Sequence, residues 1–207
     1  ERYVARARQI ILDIEECEAD VIAQGSAPRG EIRVACAMGV GFETMIRLLP
    51  EFRERYPDIR ISFSISARRI DLVENQIDVA IRLGALPDSS LVVRRLATFR
   101  RVICASPIYL AKAGPVERPD DLLQHECIYS TSAPALSFWP FRDGERTKTI
   151  QVSCRYTFDD GLACYRASLA GVGIVRLSNE QALPALKDGR LVPLLEDDHI
   201  SEAVHLN

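Results

Sequence analysis

The stretch EIRVACAMGVGFETMIRLLPEFRERYPDIRISFSIS, residues 31–66, alternates between the two periodicities from which α/β folds are built. Apolar residues recur at every second position in 31–37 and again in 58–66, which predicts two strands. The helix predicted between them has one apolar face and an expected kink at Pro50. That face is formed by Met45, Leu48, Leu49 and Phe52.

A short helix over 68–76 and a strand over 77–83 extend this order to strand, helix, strand, helix, strand. The order is typical of a parallel α/β sheet with right-handed crossovers. The pattern continues after a turn at PDSS, residues 87–90. The elements predicted beyond the turn are strands 91–99 and 100–105, helices 106–114 and 118–126, a strand 127–130, a hairpin 138–154 around Asp143 and Gly144, a helix 159–171, a strand 172–177, a helix 178–189 and a last strand 190–195.

The N-terminal 25 residues form a separate pattern with apolar residues spaced alternately by four and three positions. These residues are Tyr3, Ala7, Ile10, Ile14, Cys17 and Val21. The spacing predicts a coiled-coil helix that ends at Gly25 and is followed by a short linker, GSAPRG. We expect this helix to be an oligomerisation arm, and the alternative is a helix that packs on its own domain.

Composition predicts a globular, soluble, cytoplasmic protein. The chain has 47% hydrophobic and 27% charged residues and a formal net charge of −3, which argues against a sequence-independent nucleic-acid surface. The sequence contains neither a membrane-spanning run nor a signal-peptide core, so no membrane partner is expected. Its six scattered cysteines, which form no CxxC pair, are interpreted as buried reduced thiols.

Four segments in register resemble the C-terminal, effector-binding part of LysR-type transcriptional regulators. They are residues 30–59, 77–97, 105–128 and the pair 169–177 with 186–195. The resemblance implies an α/β, two-lobed periplasmic-binding-protein-like (type II) fold with two crossover strands, preceded by an N-terminal linker helix. It implies a transcription-regulating domain that binds a small effector between its lobes, forms a homodimer or homotetramer, and needs no cofactor.

The resemblance also implies a division of the chain. Residues 1–29 correspond to the linker and dimerisation helix, residues 30–104 with 176–207 to regulatory lobe I, and residues 105–175 to regulatory lobe II. The family's N-terminal helix-turn-helix, through which DNA would be bound, is missing from this sequence. The C-terminal stretch DDHISEAVHLN is expected to stop short of the family's usual closing strand and helix.

Candidate effector-binding residues are those that directly follow predicted strands, because α/β sheets bind ligands beyond the carboxyl ends of their parallel strands. Glycines after the first strand let backbone N–H groups approach a ligand at a helix N-terminus, which favours an anion. The candidates are Met38, Gly39, Val40, Ser66, Arg82, Tyr129, Ser130, Thr131 and Asp159.

Arg82 suggests the chemistry of the effector. It ends the apolar run VAI, and a guanidinium there can hold a carboxylate bidentately, with Ser66 and the glycine-rich turn completing the cradle. The alternative is that Arg82 pairs with an internal carboxylate, either Asp88 or Asp159. Asp159 has its own alternative role as the N-cap of the helix that follows it.

The sequence gives little support for an enzyme. It contains no GxSxG or HExxH motif, and neither catalytic nor metal-ligating residues are predicted. Its GxGxxT pattern lacks the third glycine of a dinucleotide site. The closer rival is a periplasmic-type solute-binding protein for uptake, which would share the two lobes and the cleft.

Overall fold

The computed structural model of the chain describes residues 27–37, 39–66, 71–83, 92–132 and 134–206. The predicted N-terminal helix lies outside the described residues, as do Met38 and Asp88. The strands are β1 (Gly30–Cys36), β2 (Ile59–Ile65), β3 (Val79–Ile81), β4 (Ala97–Ala105), β5 (Cys127–Ile128), β6 (Phe138–Asp143), β7 (Arg146–Gln151), β8 (Ile174–Ser178), β9 (Val192–Pro193) and β10 (Ala203–Leu206). The α-helices are α1 (Val40–Arg55), α2 (Pro107–Ala113), α3 (Gly161–Leu169) and α4 (Asn179–Lys187), and the 3₁₀ helices are Pro119–Gln124 and Pro134–Ser137.

β1 is the central strand of a three-stranded parallel sheet with the order β2-β1-β3. In this register Cys36 lies opposite Ile65 on β2 and opposite Ile81 on β3. Helix α1 connects β1 to β2 and packs on the sheet, where the Phe42 and Phe63 rings meet edge to face at 6.0 Å. The parallel arrangement predicted for the start of the domain is therefore confirmed, and its three strands end at one edge.

β4 is the central strand of a five-stranded mixed sheet in the order β10-β4-β8-β5, with β9 also paired to β4. The prediction of two strands over 91–99 and 100–105 is wrong. Residues 97–105 form one continuous strand because β4 finds partners along its whole length, whereas residues 92–96 are exposed and outside any strand.

The last strand was not predicted. β10 pairs Val204 with Phe99 of β4, and both Val204 and Leu206 are buried. Four alternating residues are too short a pattern to distinguish a strand from a loop. The strand predicted over 190–195 is reduced to the two residues of β9.

A two-stranded hairpin, β6-β7, completes the sheets and encloses much of the core. Its turn lies at Gly144, as predicted, with a φ of 60° that glycine adopts without strain. Trp139 and Phe141 on β6 are fully buried, and the Trp139 indole donates a hydrogen bond to the Leu136 carbonyl at 3.0 Å. Both aromatic residues are therefore core residues, the more common role for aromatics in a hairpin.

Capping residues determine where the helices begin. Ser106 accepts a hydrogen bond from the Tyr109 amide at the start of α2, the helix predicted over 106–114. The alternative role given to Asp159 is wrong, because Asp160 caps α3 by accepting from the Leu162 and Ala163 amides at 2.8 and 3.0 Å. The side chain one position later has the geometry to reach these amides.

Two predicted helices differ from those observed. In the described part of 68–76, residues 71–76 form turns rather than a helix. The Asp71 carboxylate accepts from the Val73 and Glu74 amides, each at 2.9 Å, and this local bonding competes with the helix. The helix predicted over 118–126 is a 3₁₀ helix, Pro119–Gln124.

Candidate ligand-binding site at the strand ends

The ends of β1, β2 and β3 bring Gly39, Ser66 and Arg82 to the same edge of the first sheet. Their strands are in register up to Cys36, so the residues that follow lie beside one another. Arg82 donates from Nη1 to the Ser66 carbonyl at 3.5 Å, and Ser66 donates its amide to the Cys36 carbonyl at 2.9 Å. The predicted proximity of Ser66 and Arg82 is therefore found in the structure.

The Arg82 guanidinium lies close enough to the Cys36 thiol to act on it electrostatically. Burial raises the pKa of Cys36, and the positive charge of Arg82 opposes that shift. Arg82 itself is half-buried. Of the two carboxylates considered as its internal partners, Asp88 lies outside the described residues.

Gly39 is the N-cap residue of α1 and is buried, with a φ of 128° and a ψ of −148°. Because this conformation is rare for residues with a side chain, glycine is the suitable residue here. A Cβ at Gly39 would lie 3.9 Å from the Gln181 amide nitrogen on α4. Gln181 was not predicted as a site residue, because helix position alone does not show which side chain faces the strand ends. Val40 is the first residue of α1.

A second group of candidates follows β5. Ser130 forms an isolated bridge with Phe158, and both the amide and the hydroxyl of Thr131 donate to the Phe158 carbonyl, at 2.7 and 3.1 Å. The Thr131 hydroxyl therefore uses its proton internally and keeps its oxygen lone pairs as acceptors. The Ser130 and Ser132 hydroxyls lie 2.8 Å apart, so one of them donates a hydrogen bond to the other.

The other two candidates in this second group, Tyr129 and Asp159, differ in their exposure to solvent. Tyr129 is half-buried and packs against the core cluster that contains Trp139 and Phe141, so part of its surface is structural. Asp159 is exposed and directly follows Phe158, whose carbonyl accepts from the Thr131 amide. Ser132 was not among the predicted residues, although its position in the run YSTS was a signal for it.

A cavity of about 400 Å³ lies elsewhere, bounded by residues of α1, β3, β4, α4 and β10. Its apolar lining comes from Met45, Leu48, Ile81, Leu96, Phe99 and Leu206. None of the predicted site residues lines it. Thr44, Arg47 and Glu180 also line it, but the strand-end residues lie where α/β sheets bind ligands and are taken as the candidate site.

Five cysteines belong to the described residues, and all five are free thiols. Cys36, Cys104, Cys127 and Cys164 are buried, as predicted. Burial raises the pKa of Cys104, Cys127 and Cys164 to about 12. Because the thiolate is the nucleophile, these buried thiols are inert near neutral pH.

Comparison with known proteins identifies the family. A family model described as the LysR substrate binding domain matches residues 25–207. The chain belongs to this family. As a LysR substrate-binding domain, it has the two-lobed periplasmic-binding-protein-like fold and is a regulatory, effector-binding domain of a LysR-type transcriptional regulator.

Curated relatives of this LysR domain are regulators of transcription. The HTH-type transcriptional regulator CrgA of Neisseria meningitidis serogroup C is 33% identical over 196 residues, which are 95% of this chain and 65% of CrgA. The HTH-type transcriptional activator TtdR of Escherichia coli strain K12 is 27% identical over 198 residues, 95% of this chain and 64% of TtdR. The chain thus spans about 65% of the length of these relatives.

Solved structures show the same LysR architecture. The structure of CrgA from Neisseria meningitidis matches with a TM-score of 0.79 and 31% identity, over 99% of this chain and 70% of that one. The CrgA regulatory domain alone matches with a TM-score of 0.75 and 34% identity, over 86% of this chain and 89% of that one. Since the relatives are regulators, the solute-binding alternative is not supported. In the described part of the chain, no helix combines the length and apolarity needed to cross a membrane.

Proposed function

We propose that this LysR domain binds a small carboxylate effector in a cleft between two lobes and transmits the binding to DNA through subunit assembly. Lobe I comprises residues 30–104 with 176–207, and lobe II comprises residues 105–175. The single observation that supports the carboxylate is the position of Arg82, which lies beside Ser66 at the ends of three parallel strands.

Lobe I provides the positive pole of the proposed site. A guanidinium presents N–H donors in a planar fork that matches a carboxylate, and such charge-assisted bonds are about twice as strong as neutral ones. The N-terminus of α1 begins at Gly39, at the same edge, and its backbone N–H groups and macrodipole favour an anion. Both features select negative charge.

Lobe II provides hydroxyl groups and a carboxylate. Ser130, Thr131 and Asp159 lie together after β5 and before α3. Hydroxyl oxygens and an acidic group suit the hydroxyl or amino substituents of a small organic acid. We therefore infer that lobe I binds the acid group of the effector, while lobe II selects among its substituents.

An effector that contacts both groups favours one relative orientation of the lobes. In the complete regulator, that orientation would alter how paired subunits present their DNA-binding domains, which couples effector and DNA binding. We propose a homodimer or homotetramer that acts in the cytoplasm, without catalysis and without a cofactor. The support is the relatedness to transcriptional regulators.

Titration calorimetry with a library of small carboxylates tests the proposal. Arg82→Ala is expected to weaken binding of the best ligand by about tenfold or more, since a hydrogen bond to a charged group contributes about 1.5 to 3 kcal/mol. Arg60→Ala is the matched control, because Arg60 is an exposed arginine on β2 and its loss should leave affinity unchanged. Equal affinities in the wild-type and Arg82→Ala chains would exclude the direct contact.

A further inference from the structure

Strand β4 changes partners half-way along its length. Its residues 97–100 pair with β10, and its residues 101–104 pair with β8. The change falls between Arg100 and Arg101. A second connection runs alongside, because residues 199–202 lead from the β6 side of the fold into β10.

Arg176 on β8 holds residues 199–202 in place. Its side chain is 4% exposed. Nε donates to His199 Nε2 at 3.0 Å, and Nη2 donates to Glu202 Oε2 at 3.2 Å. The remaining nitrogen, Nη1, donates to the Phe138 carbonyl on β6 at 3.5 Å. One buried guanidinium therefore joins β8, β6 and the segment that leads into β10.

The segment has further anchors on both sides. The Ile200 amide donates to the Pro140 carbonyl of β6 at 3.0 Å. The Ser201 hydroxyl donates to the Arg101 carbonyl of β4 at 2.6 Å. These bonds fix the segment at the point where β4 changes its partners.

The cluster contains two positive side chains, Arg101 and Arg176, and one negative side chain, Glu202. Arg101 and Arg176 lie close enough to repel each other, and burial together with the Arg176 charge lowers the pKa of Arg101 to about 10. His199 accepts the Arg176 hydrogen bond, so its Nε2 carries no proton. Glu202 supplies the balancing negative charge. The Glu202 side chain is 60% exposed, but Arg176 is buried, so removing the carboxylate leaves the buried guanidinium without its counter-charge.

We propose that Arg176, His199 and Glu202 form a latch that fixes the angle between the part of the sheet in which β4 pairs with β10 and the part in which β4 pairs with β8. Any rotation of the part of β4 that pairs with β10 against the part that pairs with β8 has to twist β4 near Arg101 and shift residues 199–202 relative to β8. The latch resists both movements. The inference rests on the change of partners along β4, and it depends neither on the lobe boundaries of the proposed function nor on the identity of an effector.

Hydrogen exchange of the 207-residue chain, without any effector, tests the latch. In Glu202→Gln, amides in 196–206 are expected to exchange about twofold to fivefold faster, because an ion pair with one solvent-exposed partner is lost. Amides of the core strands β5 and β8 should keep their wild-type rates. Asp120→Asn is the matched control, since it removes the exposed Asp120–Lys148 ion pair of 2.5 Å and should leave 196–206 unchanged.

A second readout measures the angle between the two parts directly. Spin labels carried on a keto-bearing amino acid at the exposed positions Arg53 and Arg146 report the distance between α1 and β7. Glu202→Gln should broaden the distance distribution, and His199→Gln, which keeps an acceptor, should broaden it less. Unchanged exchange in 196–206, or faster exchange throughout the chain, would overturn the latch. Effector binding is measured separately, so the two proposals fail independently.

Discussion

Nη1 of Arg82 lies 3.5 Å from the backbone oxygen of Ser66, across the ends of β3 and β2. A positive charge is thereby held at the edge where three parallel strands finish. In α/β sheets this edge is where ligands bind, because the loops there are built on a rigid scaffold. The placement turns a fixed charge at the end of an apolar strand into a candidate anion receptor.

Lysine in place of Arg82 separates charge from shape. Arg82→Lys keeps the positive charge but loses the planar fork, so a bidentate contact becomes a single one. We expect a dissociation constant for the best carboxylate between those of the wild-type and Arg82→Ala chains, measured by titration calorimetry. A lysine variant as tight as wild type would show that charge alone is required.

The hydroxyl of Thr131 is expected to contribute to affinity from the second group. Thr131→Val removes its oxygen while keeping its shape, so binding should weaken about threefold to tenfold, the effect of one neutral hydrogen bond of about 1 kcal/mol. Calorimetry measures the affinity. An unchanged dissociation constant would place Thr131 outside the site.

Neighbouring aspartates provide a matched pair for stability. Asp160→Ala removes the cap of α3 and should lower the free energy of unfolding by about 1 kcal/mol. Asp159→Ala should change stability by less than about 0.5 kcal/mol, because its carboxylate is exposed and does not cap the helix. Urea denaturation measures both. A larger loss for Asp159→Ala than for Asp160→Ala would contradict the assigned cap.

Periodicity predicted the first sheet well because residues 31–66 form elements long enough for their patterns to be distinct. Ser106 and Gly144 were also predictable, since a cap and a tight turn each demand particular residue types. The failures share a cause. β10 is only four residues long. Residues 71–76 are compatible with a helix, but the Asp71 side chain accepts hydrogen bonds from nearby amides and favours turns instead.

The site was predictable only in part for a related reason. Strand order places Ser66 and Arg82 at one edge, so their proximity follows from the sequence. Contacts between distant elements do not follow in this way. Gln181 approaches Gly39 from a helix more than a hundred residues away, and His199, which is 6% exposed, accepts from Arg176 on a strand more than twenty residues before it.

Acid should weaken the fold through His199. Burial first, then the charges of Arg176 and Arg101, lower the pKa of His199 to about 4, below the ordinary value of 6.5. Between these values the unfolded chain binds a proton that the folded chain does not. Stability from this residue is therefore complete above about pH 6.5 and falls as the pH drops towards 4, by roughly 2 to 3 kcal/mol.

Comparison with His199→Gln isolates this contribution. The variant cannot take up the proton, so its stability should fall less than that of the wild-type chain between pH 7 and pH 4.5. Urea denaturation at the two pH values, at constant ionic strength, provides the measurement. Equal losses in both chains would assign the acid sensitivity to other groups.

The most direct measurement is a crystal structure of the chain with the carboxylate that binds best in calorimetry. We predict a ligand carboxylate within about 3.2 Å of the Arg82 guanidinium, with a polar contact from Ser130 or Thr131 to the same molecule. A ligand bound in the cavity beside α1, or one that touches neither Arg82 nor the residues after β5, would contradict the account.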